Sequence, residues 1–353
     1  MLDESSIIWS ARDSLDECAI APPWALARGA VRTAARPILF AAGLAVVGYL
    51  IWDLGPGSIW EAFRRLSWGV LLVLVFPAWI VVVLDTLGWR FTFTRPPRSL
   101  LHLLAVRLAG EAINLSTPTA SVGGEPVKAY LLRPEIPMRD ALLSVVADKT
   151  TVVVSQVILL AVGLLAGLGA LPLSHPLMLT MAGLLAVEVI CAAGFVVVQL
   201  GGVVGGAGRL LSRLGVAPGV AQVKLEGFDQ ALRATYVERW RPLLASALYH
   251  FLASAVETLE IYLIVRFLSV PMPATVALGI GAFGNAVRFL SFMIPGSLGA
   301  VEGANVALFA AFGVAGSLGL TCTLVQRLRE ILWTAAGFAA LSLLSSHSTS
   351  RQG

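Results

Sequence analysis

Six long apolar runs punctuate the chain, near 34–52, 69–88, 141–168, 177–200, 242–268 and 319–345. Each is long enough to cross a bilayer as a helix, which takes roughly 20 residues at a rise of about 1.5 Å. Between them lie two apolar stretches with a break inside, 101–133 and 274–312. The breaks read Pro118-Thr-Ala-Ser-Val-Gly-Gly-Glu125 and Pro295-Gly-Ser-Leu-Gly-Ala-Val-Glu302. Both are a proline, six mostly small residues and a glutamate, followed by a short apolar run. Proline ends a helix and small residues permit tight backbone, so each break predicts two half-helices meeting at a turn. The returning runs, 126–132 and 301–312, are too short to cross alone. Both elements are therefore expected as re-entrant helical hairpins, the alternative being that the arm 274–294 spans fully.

A shift of 177 residues lays Pro118 on Pro295, Glu125 on Glu302 and the span 69–88 on 246–265. It also brings Asp148 and Lys149 within about two positions of Gln326 and Arg327. Units 69–168 and 246–345 thus read as an inverted repeat, with 177–200 as the odd crossing that turns the second copy over. The predicted fold is an all-α integral membrane protein of about six full spans and two re-entrant hairpins. It is flanked by a tail over 1–33 and another over 346–353.

Composition agrees. Hydrophobic residues make up 57% of the 353 and charged residues 13%, with a mean hydropathy of +0.84, far from a soluble domain. The net charge of +4 comes from basic residues in short loops, which is a topology signal and not a nucleic-acid one. Arg28, Arg32 and Arg36 precede the first run, and Arg90, Arg95 and Arg98 follow the second. Six basic residues lie in the connector 201–241, while the loop 169–176 has none. Only Arg64 and Arg65 run against this bias. Both termini are expected in the cytoplasm, with the first hairpin entering from the cytoplasm and the second from outside. Acidic residues ahead of the first apolar run argue against a cleavable signal peptide. The connector opens with Gly201, Gly202, Gly205, Gly206 and Gly208, without a phosphate-loop lysine or a preceding strand, and reads as a linker to an interfacial helix.

Polar side chains at membrane depth are costly unless paired or wetted, so each is a candidate for function. The first hairpin carries Glu111, Asn114, Glu125 and Lys128, with Pro118, Gly123 and Gly124 shaping its turn. A half-helix starting near Pro126 would direct unpaired N–H groups inward, and with Lys128 could hold an anionic head group. Glu125 would cap those N–H groups when the site is empty, or permanently if its role is structural. The second hairpin carries Asn285, Arg288, Glu302 and Asn305, with Pro295, Gly296 and Gly299 at its turn. Glu111 and Arg288 occupy equivalent places with opposite charge and are expected to pair across the pseudo-two-fold axis, in a functional or a structural role. In the full spans, Asp148 and Lys149 sit about two turns into their helix. Glu257 and Glu260 share a face, and Arg327, Arg329 and Glu330 lie at similar depth. An ion-pair network between these two groups is expected, either static or, around an unpaired carboxylate, able to carry protons. His102 and His175 read as interfacial, His347 as part of the tail, and His250 as a packed helix residue. Gly163 and Gly167 suggest a close helix contact. Cys18, Cys191 and Cys322 form no disulfide or metal spacing, and no metal-hydrolase or Walker motif occurs, so no cofactor or metal is expected.

The runs Arg107-Leu-Ala-Gly-Glu-Ala-Ile-Asn114, Val122-Gly-Gly-Glu125 and Ala147-Asp-Lys149 resemble the first signature of the bacterial flippase-like membrane family. That family includes the transmembrane region of lysylphosphatidylglycerol synthases. Arg288, Pro295 through Asn305, and Leu324-Val-Gln-Arg-Leu-Arg-Glu330 resemble its second signature. The resemblance covers roughly 34–345 and is greatest to the hopanoid-associated branch. It implies a protein of the bacterial inner membrane that moves a lipid between leaflets, or helps to do so. The aminoacyl-transferring domain of the synthases has no counterpart in the chain, so translocation and not synthesis is the expected role. Glu125 and Glu302 would then gate or bind the head group, and Lys128 and Arg288 would attract it. The alternatives are an enzyme embedded in the membrane that modifies a lipid head group, and a scaffold for lipid- or hopanoid-synthesis enzymes.

Overall fold

The computed structural model describes residues 69–116, 123–172, 174–201, 227–291, 294 and 297–349, with isolated positions between 52 and 64. The predicted span 34–52 except Trp52, the turn residues Pro118, Pro295 and Gly296, and most of the connector lie outside the described residues. All regular structure among the described residues is helical. In chain order the helices are α1 (Gly69–Thr92), α2 (Leu100–Ser116), α3 (Gly124–Leu132), α4 (Met138–Gly167) and α5 (Pro176–Leu200). They continue with α6 (Phe228–Glu238), α7 (Trp240–Phe267), α8 (Ala274–Leu290), α9 (Ala300–Ala311) and α10 (Gly316–Thr349).

Four of these are long and apolar enough to cross a membrane: α1 from Leu72, α4, α5 and α7. The 34-residue α10 is not among them, and its first half carries Arg327, Arg329 and Glu330. The interrupted elements resolve into α2 with α3 and α8 with α9, none longer than 17 residues. The arm 274–294 is helical only to Leu290.

Helices α1 and α7 pack most extensively, and they run antiparallel. Gly69 faces Phe267 at one end, and Phe91 stacks on Tyr249 toward the other, with ring centroids 5.4 Å apart. Next in extent are α2 on α10 and α4 on α8. Gly337 of α10 lies so close to α2 that an added Cβ would strike the Leu108 carbonyl. Gly163 of α4 meets Ala282 of α8 in the same way. Shifted by 177 residues, α1 to α4 fall on α7 to α10, so α2 on α10 and α8 on α4 are equivalent pairings in the two halves.

Each broken element folds back to its starting end. His102, near the start of α2, is 3.6 Å from Glu135, just beyond α3. Phe312, just beyond α9, reaches Gly279 in the second turn of α8. Because α2 follows the C-terminus of α1 and α8 that of antiparallel α7, the two hairpins open at opposite ends of the α1–α7 pair. Separate apolar clusters hold them. Trp89, Phe93, Leu103, Leu132 and Val145 enclose the first. Ile261, Ile264, Ile280, Phe283, Leu308 and Phe309 enclose the second. Outside, α1, α5, α7 and α10 present large apolar side chains such as Phe76, Ile190, Leu248 and Ile331, the surface expected in contact with lipid chains.

Helix α6 docks across α4 and α5. Thr150, Tyr236 and Gln199 share a hydrogen-bonded triad in which the Thr150 and Tyr236 hydroxyls are 2.7 Å apart. Burial raises the phenol pKa of Tyr236 above its ordinary value, and the bond to Thr150 opposes that shift. Arg139 donates to the Gly227 carbonyl at 2.8 Å, at the start of this helix.

Candidate functional site

Helix α3 begins where the chain has just turned back on α2, and the two cross at Gly110 and Gly124. A Cβ on Gly124 would overlap the Gly110 carbonyl, so glycine permits this approach. The first amide of α3, buried at this crossing, is capped from α2: Gly124 N donates to Asn114 Oδ1 at 2.7 Å. This corrects the expectation that Glu125 caps the half-helix. Glu125 is instead an acceptor hub, and its Oε1 takes Asn114 Nδ2 at 3.0 Å, Lys128 Nζ at 3.2 Å and Lys149 Nζ at 2.8 Å. In the second hairpin Glu302 does cap its helix, accepting from Gly299 N at 2.7 Å. Gly299, at a φ of +81°, holds a conformation that suits glycine.

Around Glu125 a first charged cluster closes. Lys128, 1% exposed, binds Glu111 at 2.5 Å, with Gly110 beneath its stem and Trp89 beside it. Arg107 lies 3.2 Å from Asp85 and 3.6 Å from Asp148. His250 bridges the same two carboxylates, Nδ1 to Asp85 at 2.7 Å and Nε2 to Asp148 at 2.9 Å. Ionised carboxylates only accept, so both bonds form when the ring carries both protons. In that state four acids (Asp85, Glu111, Glu125, Asp148) balance four bases (Arg107, Lys128, Lys149, His250).

The second cluster surrounds Glu302. Arg327 Nε binds it at 2.8 Å and also reaches Glu330 at 2.9 Å, while Arg288 pairs with Glu330. Arg329 pairs with Glu260 and lies 3.7 Å from Glu257. Asn305, 2% exposed, donates to Thr323 at 2.7 Å. The network expected from Glu257, Glu260, Arg327, Arg329 and Glu330 is thus divided. Arg329 serves the two glutamates of α7, and Arg327 and Glu330 join Glu302 and Arg288. Glu111 and Arg288 do not pair with each other, because each has a closer partner in its own half.

Both clusters open into one cavity of about 320 Å³ between the halves. Its polar wall includes Asp85, Glu111, Lys149, Glu257, Arg288 and Glu330, and its apolar wall includes Ala78, Val82, Leu108, Leu115 and Trp333. His250 and Glu257 stand seven residues apart on α7, about 10 Å along the helix. Glu125, Lys128, Asp148, Glu302 and Asn305 are buried behind this wall.

Three members of the site escaped sequence reading. Asp85 was hidden by its apolar run near the end of a span. Arg107 registered only as part of a motif, and His250 as a packed residue. A histidine and an aspartate inside apolar spans, 165 residues apart, were the available signal. Glu188 of α5 is also buried, and neither of its carboxylate oxygens finds a hydrogen-bond partner among the described residues.

The comparisons with known proteins concern the same stretch. Residues 37–337 match the lysylphosphatidylglycerol synthase transmembrane region. A UPF0104 membrane protein of Methanothermobacter thermautotrophicus is 26% identical over 326 residues, covering 88% of this chain and 95% of that protein. No solved structure matches. With four apolar helices of spanning length and a family match over most of its residues, the chain is an integral membrane protein that belongs to the family of the lysylphosphatidylglycerol synthase transmembrane region.

Proposed function

We propose that this protein is a lipid translocator of the bacterial inner membrane, with both termini in the cytoplasm, and not an enzyme. The carrying observation is the shared cavity. Charged side chains from both halves line one part of it and apolar side chains the other, next to helix faces suited to lipid chains. A polar head could exchange partners among Glu111, Lys149, Arg288 and Glu330 while its tails remain in the bilayer. Buried Glu125, Lys128, Glu302 and Asn305 would hold the half-helices in place, and Pro118, Gly123, Gly124, Pro295, Gly296 and Gly299 would keep the turns open. The two units, read as an inverted repeat of re-entrant hairpins, provide a gate at each face around a site near the midplane. Their fold-back geometry and their opening at opposite ends of the α1–α7 pair support this reading.

Flipping of fluorescent phospholipids in proteoliposomes, read by dithionite quenching, tests it. Wild-type protein is expected to make inner-leaflet lipid accessible. Lys149→Ala together with Arg288→Ala should slow that process at least tenfold. Absence of protein-dependent flipping across anionic, zwitterionic and neutral head groups, or full activity in the double variant, would overturn the reading.

A further inference from the structure

Asp85, Arg107, Asp148 and His250 form a closed square in which each cation bridges both carboxylates. Asp85 gives one oxygen to His250 Nδ1 at 2.7 Å and the other to Arg107 at 3.2 Å. Asp148 gives one oxygen to His250 Nε2 at 2.9 Å and the other to Arg107 at 3.6 Å. Three features make this square a place where a proton comes and goes, beyond its role as a tie between helices.

The first is its dependence on a single proton. Arg107 keeps its charge at any ordinary pH, so only the imidazole can change the balance of the square. A neutral ring has one N–H, and its other nitrogen would aim a lone pair at a carboxylate oxygen. One proton therefore carries both a hydrogen bond and the neutrality of the four groups.

The second is an asymmetry of access. The Asp148 side chain is 4% exposed and lies behind the cavity wall, whereas that of Asp85 is 24% exposed and lines the cavity, as His250 does. Once the Nδ1 proton has left, cavity water can donate to Asp85 in its place, while Asp148 is shut off from that supply. Departure is thereby directed from Nδ1 past Asp85 into the cavity, with the Nε2 bond kept.

The third is the fit of the ring. Gly88 of α1 leaves the space that the imidazole fills, since a Cβ there would stand 2.8 Å from Nε2. The other charged groups around α7 are engaged elsewhere. Lys149 of α4 binds Glu125, and Lys128 of α3 binds Glu111. Arg288 of α8 pairs with Glu330, and Arg329 of α10 with Glu260 and more distantly Glu257. On the side of α6, Arg239 donates to the Thr92 carbonyl.

Chains of aspartate and histidine at membrane depth mark proton paths. We propose that His250, held between Asp85 and Asp148, is a proton-binding site that exchanges with the cavity through Asp85, and that its proton is linked to head-group movement. The link rests on the translocator reading. With the proton gone, the cavity wall gains a negative charge at Asp85, which repels an anionic head group.

Nitrogen-15 NMR of the full-length protein in nanodiscs, labelled at its four histidines, reads the ring nitrogens directly, and His250→Gln identifies the signal. Both nitrogens of His250 are expected to be protonated at neutral pH, and one proton to leave reversibly as the pH rises. In Asp85→Asn it should leave roughly one pH unit lower, a tenfold weaker hold. Gly88→Ala keeps every charge and should act in the same direction, because its Cβ displaces the ring from Asp148. A singly protonated ring at neutral pH, a proton retained into strongly alkaline solution, or a titration unchanged in both variants would overturn the proton site. In proteoliposomes, flipping of a fluorescent phosphatidic acid should fall at least tenfold across the pH interval in which His250 loses its proton, and Asp85→Asn should shift both together. Flipping that ignores that interval would overturn the link. Absence of flipping at every pH would instead remove the translocator reading and the link with it, while the NMR titration still decides the proton site.

Discussion

At the scale of single residues, the charges of the two clusters are arranged so that nearly every one meets its opposite. His250 is the clearest case, since it joins Asp85 and Asp148 and with Arg107 ties α1, α2, α4 and α7 together. Removing one partner from a buried ionic group leaves the others uncompensated, at a cost of about 3–5 kcal/mol. His250→Ala is therefore expected to lower the thermal unfolding temperature of the purified protein more than any single change at the lipid-facing surface. Asn114 has a smaller and more local task. Losing its bond to the Gly124 amide in Asn114→Ala should cost about 1–2 kcal/mol, as removal of a helix cap does, read by the same melting measurement. Glu125 and Glu302 occupy matching sequence positions yet behave differently, which the shared spacing could not reveal. In the first hairpin the cap comes from Asn114, whereas the equivalent position in the second is Ser291, whose hydroxyl donates to the Arg288 carbonyl, and the cap comes from Glu302.

At the scale of elements, apolar run length translated well into helices. The runs 69–88, 177–200 and 242–268 became α1, α5 and α7 with their ends moved by a few residues, because length and continuity of apolar side chains are properties of one segment. The breaks in the two hairpins were legible for the same reason, since proline and small residues act on the local backbone. Partnerships were not. Which carboxylate meets which cation depends on the antiparallel docking of α1 on α7 and of α2 on α10, and no local pattern encodes it. Hence Asp85, Arg107 and His250 went unassigned, and Glu111 was matched with Arg288 in place of Lys128. Helix α6 gives an element-level test. Part of its hold on α4 and α5 runs through Tyr236, so Tyr236→Phe should weaken the triad by about 1 kcal/mol and raise protease cleavage near this helix, without altering the charged clusters.

At the scale of the whole molecule, two units with the same order of helices are joined so that their hairpins open at opposite ends and residues of both, such as Glu111, Leu115 and Arg288, line one cavity. In the translocator reading proposed above, that arrangement would turn buried charge into a route for a head group. Its central claim is that the hairpins dip into the membrane and return, from opposite faces. Single cysteines in a background lacking Cys18, Cys191 and Cys322, labelled with an impermeant thiol reagent applied to one face of sealed vesicles, test this directly. Ser99→Cys and Glu135→Cys flank the first hairpin, and Ala274→Cys and Ala315→Cys flank the second, all at exposed positions. The account predicts that the first two are labelled from one face and the second two from the other. Labelling of either pair from opposite faces, or of all four from the same face, would contradict it.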